Sequence, residues 1–219
     1  MENNCCYFFY IEQSEKISDV IYNDFLLQLP EHFQKEIAAY KHWQSAQNSL
    51  LGKIILLFAL KKIGLSFSLN DLKIGKKDRP FLDATFDFNI SHSGNIIVVA
   101  LIKSAKIGVD VEKHRSINLP LFKKYFDDEE WKSIEQNQEP LKTFFDYWTI
   151  KESAIKHDGR GVEILSKTKI QPPKIYCDNN VLFYKQLKIN DEYSCAVSSE
   201  LDFQIINEEV FLNDLLFLK

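Results

Sequence analysis

The sequence predicts an α+β protein, and three features point there. Apolar residues recur at three- and four-residue steps through Ala46–Ile63 and again through Phe144–Ile155, the spacing of one face of a helix. Two β-rich runs, Asn95–Lys103 (NIIVVALIK) and Lys106–Val111, adjoin across a short polar turn at Ser104-Ala105. Beyond Gly161 a series of short strand-like runs follows. Each half thus holds helices and a small sheet, with a division near residue 105 into 1–105 and 106–219.

In chain order, Cys6–Ile11 (CYFFYI) reads as a first strand and Ile17–Leu27 as a short helix. Pro30 suits the first position of the next helix, Glu31–His42. Ser45 precedes the long helix Ala46–Ile63, with Leu50, Leu51, Ile54, Leu57 and Phe58 at helical spacing and Gly64 where a helix ends. A polar stretch follows, from Asn70-Asp71 to Gly75-Lys76-Lys77-Asp78-Arg79-Pro80. Pro80 keeps Arg79 out of helical conformation and able to present its guanidinium outward. Phe86–Ile90 reads as a strand that delivers Ser91-His92-Ser93-Gly94 to a turn, where hydroxyl, imidazole and backbone donors could receive a phosphate.

In the second half, Leu121–Phe126 and the run after Asp127-Asp128-Glu129-Glu130 read as two short helices. Asp127 or Asp128 is the N-cap, and the acids form a solvated face, not a metal site. Phe144–Ile155 belongs to a long helix that ends at Asp158-Gly159. Lys167–Ile170, Lys174–Cys177, Val181–Lys188 and Tyr193–Val197 read as strands separated by Pro172-Pro173, Asn179-Asn180 and Asn190-Asp191.

With 219 residues the chain can bury a sizeable core, and a formal net charge of −4 gives no global attraction to nucleic acid. No apolar run approaches the ~20 residues of a membrane span, and the N-terminus lacks the basic region of a signal peptide. Cys5, Cys6, Cys177 and Cys195 show neither CxxC spacing nor a companion histidine set, which favours reduced thiols and a cytoplasmic location.

Two patterns carry chemistry. Glu152 and Lys156 stand one turn apart on one helix face, where an i,i+4 ion pair is the ordinary reading. In IGVDVE (Ile107–Glu112) the period of two puts Asp110 and Glu112 on one strand face, ~7 Å apart along the strand. Two carboxylates so placed repel unless a cation or donors lie between them, and hard oxygen ligands suit magnesium or manganese better than zinc. An edge strand facing water is the alternative.

IGVDVE followed by WTIKESAIK (Trp148–Lys156) resembles the paired signature of the 4'-phosphopantetheinyl transferases, particularly the surfactin-synthetase-activator (Sfp-like) type. RPFL (Arg79–Leu82) and FNISHSG (Phe88–Gly94) stand in the same order as that family's other motifs. The resemblance runs from about Leu50 to Gly161, and more loosely to both termini. It implies two similar α+β subdomains related by an approximate twofold, with the active site in the cleft between them. It also implies transfer of phosphopantetheine from coenzyme A to a serine of an acyl, polyketide or peptidyl carrier protein, releasing adenosine 3',5'-bisphosphate.

Carried over by motif, Asp110, Glu112 and Glu152 hold Mg2+ (or Mn2+), and Lys156 binds a phosphate oxygen or helps the leaving phosphate depart. The serine proton goes to Glu152 or to a water beside the metal; both assignments stand open. Arg79, Ser91 and His92 contact the phosphates of coenzyme A, with Lys76 and Lys77 assisting Arg79. The sequence departs from the family at Asn48, where a basic residue usually precedes Leu-Leu-Gly. Lys35, Lys41, His42 and Ser49 are the nearby candidates to compensate. A monomer is expected, since both sides of the cleft are on one chain. A non-catalytic module that binds coenzyme A or a carrier protein, and a metal-dependent phosphate-ester hydrolase, remain as alternatives.

Overall fold

The computed structural model describes residues 4–74, 79–82 and 85–216. Lys76 and Lys77, expected beside the cofactor phosphates, lie outside the described residues. The first sheet has strand order β11-β1-β5-β4, from Gln204–Glu209 (β11), Cys5–Glu12 (β1), Ile96–Lys103 (β5) and Phe86–Ser93 (β4). The second has the order β6-β10-β9-β8-β7, from Ile107–Lys113 (β6), Tyr193–Ser199 (β10), Asn180–Gln186 (β9), Lys174–Cys177 (β8) and Thr168–Gln171 (β7). Lys73–Ile74 (β2) and Pro80–Phe81 (β3) form a two-stranded ribbon.

Period-two alternation sorts these strands into layers. Cys6 and Phe8 of β1, with Ile96, Val98, Ala100 and Ile102 of β5, pack against Val109 and Val111 of β6 and Cys195 and Val197 of β10, so the two sheets share an apolar core. Outside the first sheet, Phe9, Ile97, Val99 and Leu101 meet Leu50, Leu51, Ile54 and Ile55 of the helix Trp43–Lys62 (α3). Two shorter helices, Asp19–Leu27 (α1) and Glu31–Ala38 (α2), pack on α3. Outside the second sheet, Ile175, Leu182 and Ala196 meet Ile150, Ala154 and Ile155 of the helix Pro140–Asp158 (α5). Pro140 opens α5 at a position whose N–H needs no partner, and Gly159 closes it at φ 83°.

The division expected at residue 105 falls between β5 and β6, but the chain later crosses it. β11 returns to pair in parallel with β1, Val210 and Leu215 join the core under α3, and Leu212–Leu215 forms the last helix (α6). Residues 204–215 therefore pack with the first sheet.

Two local expectations change. β4 continues to Ser93, so Ser91 and His92 lie on a strand and the turn is at Gly94-Asn95. In the helix Asp128–Glu135 (α4), Asp127 is the N-cap and shares a capping box with Glu130. Glu130 is not solvated: it is 4 % exposed and paired with the buried Lys151 of α5. Cys6, Cys177 and Cys195 are buried free thiols. Among the described residues no helix is long and apolar enough to cross a membrane.

Candidate active site

β4 is the edge of the first sheet and β6 the edge of the second, and the two meet through side chains. Asp87, Asn89, Ser91 and Ser93, alternate residues on one face of β4, receive the outward N–H groups of Ile107, Val109, Val111 and Lys113 at 2.8, 3.0, 3.4 and 3.1 Å. This polar seam satisfies an edge that would otherwise carry orphaned buried donors.

The candidate site lies along the seam where α5 crosses it. Ser91 Oγ donates to Asp110 Oδ1 at 3.0 Å, and Lys156 Nζ donates to Asp110 Oδ1 and to Ser91 Oγ, both at 2.7 Å. Ser93 Oγ donates to Glu112 Oε2 at 2.9 Å, which also takes a bond from Arg115 at 2.8 Å. Three elements remote in sequence thus bring Ser91, Asp110, Glu112 and Lys156 together, with Glu152 one turn before Lys156.

Close approach of α5 to β6 depends on Gly108, whose missing Cβ would lie 1.9 Å from the Ser153 carbonyl oxygen and 2.5 Å from the His157 nitrogen. A cleft of about 280 Å³ opens beside Glu152 and Lys156, walled by Arg79, Asn89, Ile155 and Val162.

The electrostatics show crowded acids. Burial, then the neighbouring Asp110 charge, pushes the Glu152 carboxyl up to about 7, against the lowering effect of Lys156. Burial also raises Asp110 despite Lys156. Asp110 Oδ2 is buried with no hydrogen-bond partner. Among the described residues no three His, Cys, Asp or Glu side chains are gathered as a ready metal-binding group. The donor set is nonetheless the kind a hard divalent cation takes, and the free Asp110 oxygen faces the crowding such a cation offsets.

His92 is exposed at its outer surface, yet enough protein surrounds the ring that desolvation lowers its pKa, followed by the charges of Lys156 and Lys53. Both lysine charges thus disfavour a protonated imidazole here. Lys53, which the sequence reading did not single out, has a side chain 14 % exposed and donates to Ser49 Oγ at 2.9 Å and Glu36 at 3.1 Å. Its position four residues after Ser49 on α3 is the signal that could have found it. Asn48, the departure from the family pattern, donates to the Gly94 carbonyl at 3.1 Å and brings no charge.

Two expected contacts are placed differently. Lys35 is on the solvent face of α2, its side chain 74 % exposed and paired with Glu31 at 2.7 Å. Arg79 turns inward, not outward: it forms a two-pronged ion pair with Asp87 at 2.9 and 2.6 Å.

Comparisons with known proteins fit this arrangement. Residues 106–199 match the model of the 4'-phosphopantetheinyl transferase superfamily. The chain is 28 % identical over 159 residues to "4'-phosphopantetheinyl transferase gsp" of Aneurinibacillus migulanus, covering 71 % of this chain and 66 % of that one. It is 32 % identical over 133 residues to "4'-phosphopantetheinyl transferase Sfp" of Bacillus subtilis (strain 168), covering 57 % and 58 %. A Haemophilus influenzae protein described as "Putative 4'-phosphopantetheinyl transferase" is 30 % identical over 160 residues, covering 68 % of each chain. The first two matches thus span less than two thirds of those relatives' own lengths.

Proposed function

The chain belongs to the 4'-phosphopantetheinyl transferase superfamily, and from that premise we propose that it transfers phosphopantetheine from coenzyme A to a serine hydroxyl of an apo carrier protein. The observation that carries the reading is the bonded set of Ser91, Asp110 and Lys156 on the seam, with Glu112 two residues along β6 and Glu152 one turn back on α5. These are the groups such a transfer needs: cationic and hydroxyl donors for a diphosphate, and carboxylates for a divalent ion and a proton.

In the reaction the serine oxygen bonds to the phosphorus nearer the pantetheine arm, and the bond from that phosphorus to the bridging oxygen breaks. Adenosine 3',5'-bisphosphate leaves with the electron pair. Lys156 Nζ, which now binds Asp110 and Ser91, has the reach and charge to hold an oxygen of the diphosphate as negative charge builds on the leaving group. Neutral His92 and the Ser91 hydroxyl offer further donors beside it. Glu152, at the edge of the cleft, accepts the serine proton or aligns a water that does.

Asp110, Glu112 and Glu152 would hold Mg2+ or Mn2+, which when bound offsets diphosphate charge. The Ser49–Lys53 pair next to His92 gives the adenosine end of coenzyme A a cationic contact that Asn48 does not supply. This reading places a single-chain enzyme in the cytoplasm, with fatty-acid, polyketide or peptide carriers as acceptors.

The test is the intact mass of an apo carrier after incubation with this protein, coenzyme A and magnesium. A gain of one phosphopantetheine that disappears with a chelator and in Asp110→Ala supports the transferase. Coenzyme A bound without any gain on several carrier types makes the protein a binding module instead.

A further inference from the structure

Arg79 ties together the same three elements that build the site. Its Nε donates to the Lys156 carbonyl at 3.1 Å, Nη1 to Asp87 Oδ1 at 2.9 Å, and Nη2 to Asp87 Oδ2 at 2.6 Å, the Ile107 carbonyl at 2.7 Å and the Phe88 carbonyl at 3.4 Å. The Arg79 side chain is 15 % exposed and Asp87 8 %. A guanidinium has five N–H donors in a fixed plane, and these contacts leave Arg79 at most one. Its charge is already matched by Asp87. Arg79 lines the cleft beside Glu152 and Lys156, with one N–H at most to offer there.

What Arg79 holds is the end of α5. Carbonyls in the last turn of a helix lack intrahelical partners, and here Gly159 N–H takes that of Ile155 while Arg79 takes that of Lys156. Lys156 is therefore fixed twice, by its carbonyl through Arg79 and by its ammonium through Asp110 and Ser91. The first anchor leads directly to the seam, because Asp87 Oδ2 also accepts the Ile107 N–H at 2.8 Å, at the head of the strand that carries Asp110.

We propose that Arg79, held by Asp87, is a positioning residue that sets Lys156 against Asp110, and is not a ligand of the coenzyme A phosphates. The proposal rests on the transferase reading. It separates two roles that a basic residue at this position could have: a phosphate ligand acts by charge, whereas a clamp needs the forked geometry that only arginine has.

The experiment compares Arg79→Lys, Arg79→Gln and Asp87→Asn with the wild type in the full chain. Three readouts are taken: coenzyme A affinity by calorimetry, carrier modification kinetics with magnesium, and amide hydrogen exchange at His157–Gly159 and Ile107. A lysine keeps the charge but cannot reach both Asp87 oxygens and the Lys156 carbonyl, so Arg79→Lys should lower kcat roughly 10- to 100-fold, the scale of an ångström-level misplacement.

Asp87→Asn, which breaks the fork from its other side and removes no cation, should lower kcat on the same scale. In both variants KM and Kd for coenzyme A should stay within about threefold, and exchange at the end of α5 should quicken. The opposite pattern overturns the proposal: near-normal kcat in Arg79→Lys, unchanged or tighter coenzyme A binding with normal kcat in Asp87→Asn, and a Kd raised about tenfold or more in Arg79→Gln without faster exchange.

If Arg79→Gln does not fold, the lysine and Asp87→Asn variants decide alone. Failure of the wild type to modify any carrier would count against the transferase reading, and the calorimetric and exchange results would still discriminate between clamp and ligand.

Discussion

Gly108→Ala is the sharpest test of how the site is assembled. Gly108 does not adopt a left-handed backbone, so alanine is conformationally allowed there, and the whole effect is steric. The new Cβ would lie 1.9 Å from the Ser153 oxygen, 2.5 Å from the His157 nitrogen and 3.0 Å from the Ser153 carbonyl carbon. All three are helix backbone, with no rotamer to relieve them. Reaching an ordinary contact of about 3.4 Å from 1.9 Å moves α5 outward by about 1.5 Å. A Lys156–Asp110 bond of 2.7 Å would then stretch past hydrogen-bonding range.

Overpacking of this kind costs about 1–3 kcal/mol, and backbone against backbone belongs at the upper end. The displacement should lower transfer about 100-fold. Urea denaturation and carrier-modification kinetics, taken where the variant is folded, measure both. Gly52→Ala is the control, because its Cβ would crowd a side-chain methyl that can shift, Ile90 Cγ2 at 2.9 Å, with Ile97 Cγ2 at an ordinary 3.6 Å. Gly108→Ala with stability within about 0.5 kcal/mol of wild type and normal transfer would refute the reasoning.

Further predictions concern charges around the site. Lys53→Ala should raise KM for coenzyme A about tenfold, the loss of one charged hydrogen bond, while Lys35→Ala should leave steady-state kinetics unchanged. The Lys151 side chain is 1 % exposed, its Nζ bonded to Glu130 at 2.8 Å and to the Thr168 carbonyl. Lys151→Met should cost about 3–5 kcal/mol in chemical denaturation, and pairing it with Glu130→Leu should recover part of that. Burial acts to raise the Asp127 carboxyl, but the Glu130 amide and Lys169 outweigh it and hold it below its ordinary value. Its capping contribution is therefore present above the unfolded-state pKa and lost as pH falls through the folded one. Asp127→Ala should cost about 1 kcal/mol at neutral pH and little in acid, read from melts across pH.

The parts of the fold legible in the sequence were those whose partners lie in the same element. The helical period of α5, the β-run of IGVDVE and the Asp127 cap each depend on residues a few positions apart. β11 escaped notice because QIINEE has two adjacent apolar residues and acidic ends, and its pairing partner lies at the other end of the chain.

Ser91-His92-Ser93 looked like a turn because polar residues cluster there. They are polar because every second one meets the edge of β6. The alternation Asp87, Asn89, Ser91, Ser93 in a strand was a visible signal of a polar partner, though not of which strand supplied it. The inward direction of the Arg79 side chain was hidden for a related reason. Proline at 80 constrains the backbone before it, but where a guanidinium goes depends on the nearest buried carboxylate, and no local pattern ties Asp87 to it.

The seam explains why structure and chemistry share residues here. An edge strand with unpaired N–H groups must be covered, and β4 covers β6 with side chains where a backbone ladder would have closed the gap. A ladder would have brought the two strands to sheet spacing and left no room between them for a carboxylate and an ammonium. Short hydroxyl residues keep the strands further apart while still satisfying the donors. Each hydroxyl retains a proton to give away, and Ser91 and Ser93 give theirs to Asp110 and Glu112. Asn89 accepts the Val109 amide and, among the described residues, holds no carboxylate. Asn89→Ala should therefore lower stability by about 1–3 kcal/mol for the orphaned amide with a smaller effect on transfer than Ser91→Ala, which loosens the amide, the carboxylate and the Lys156 contact together.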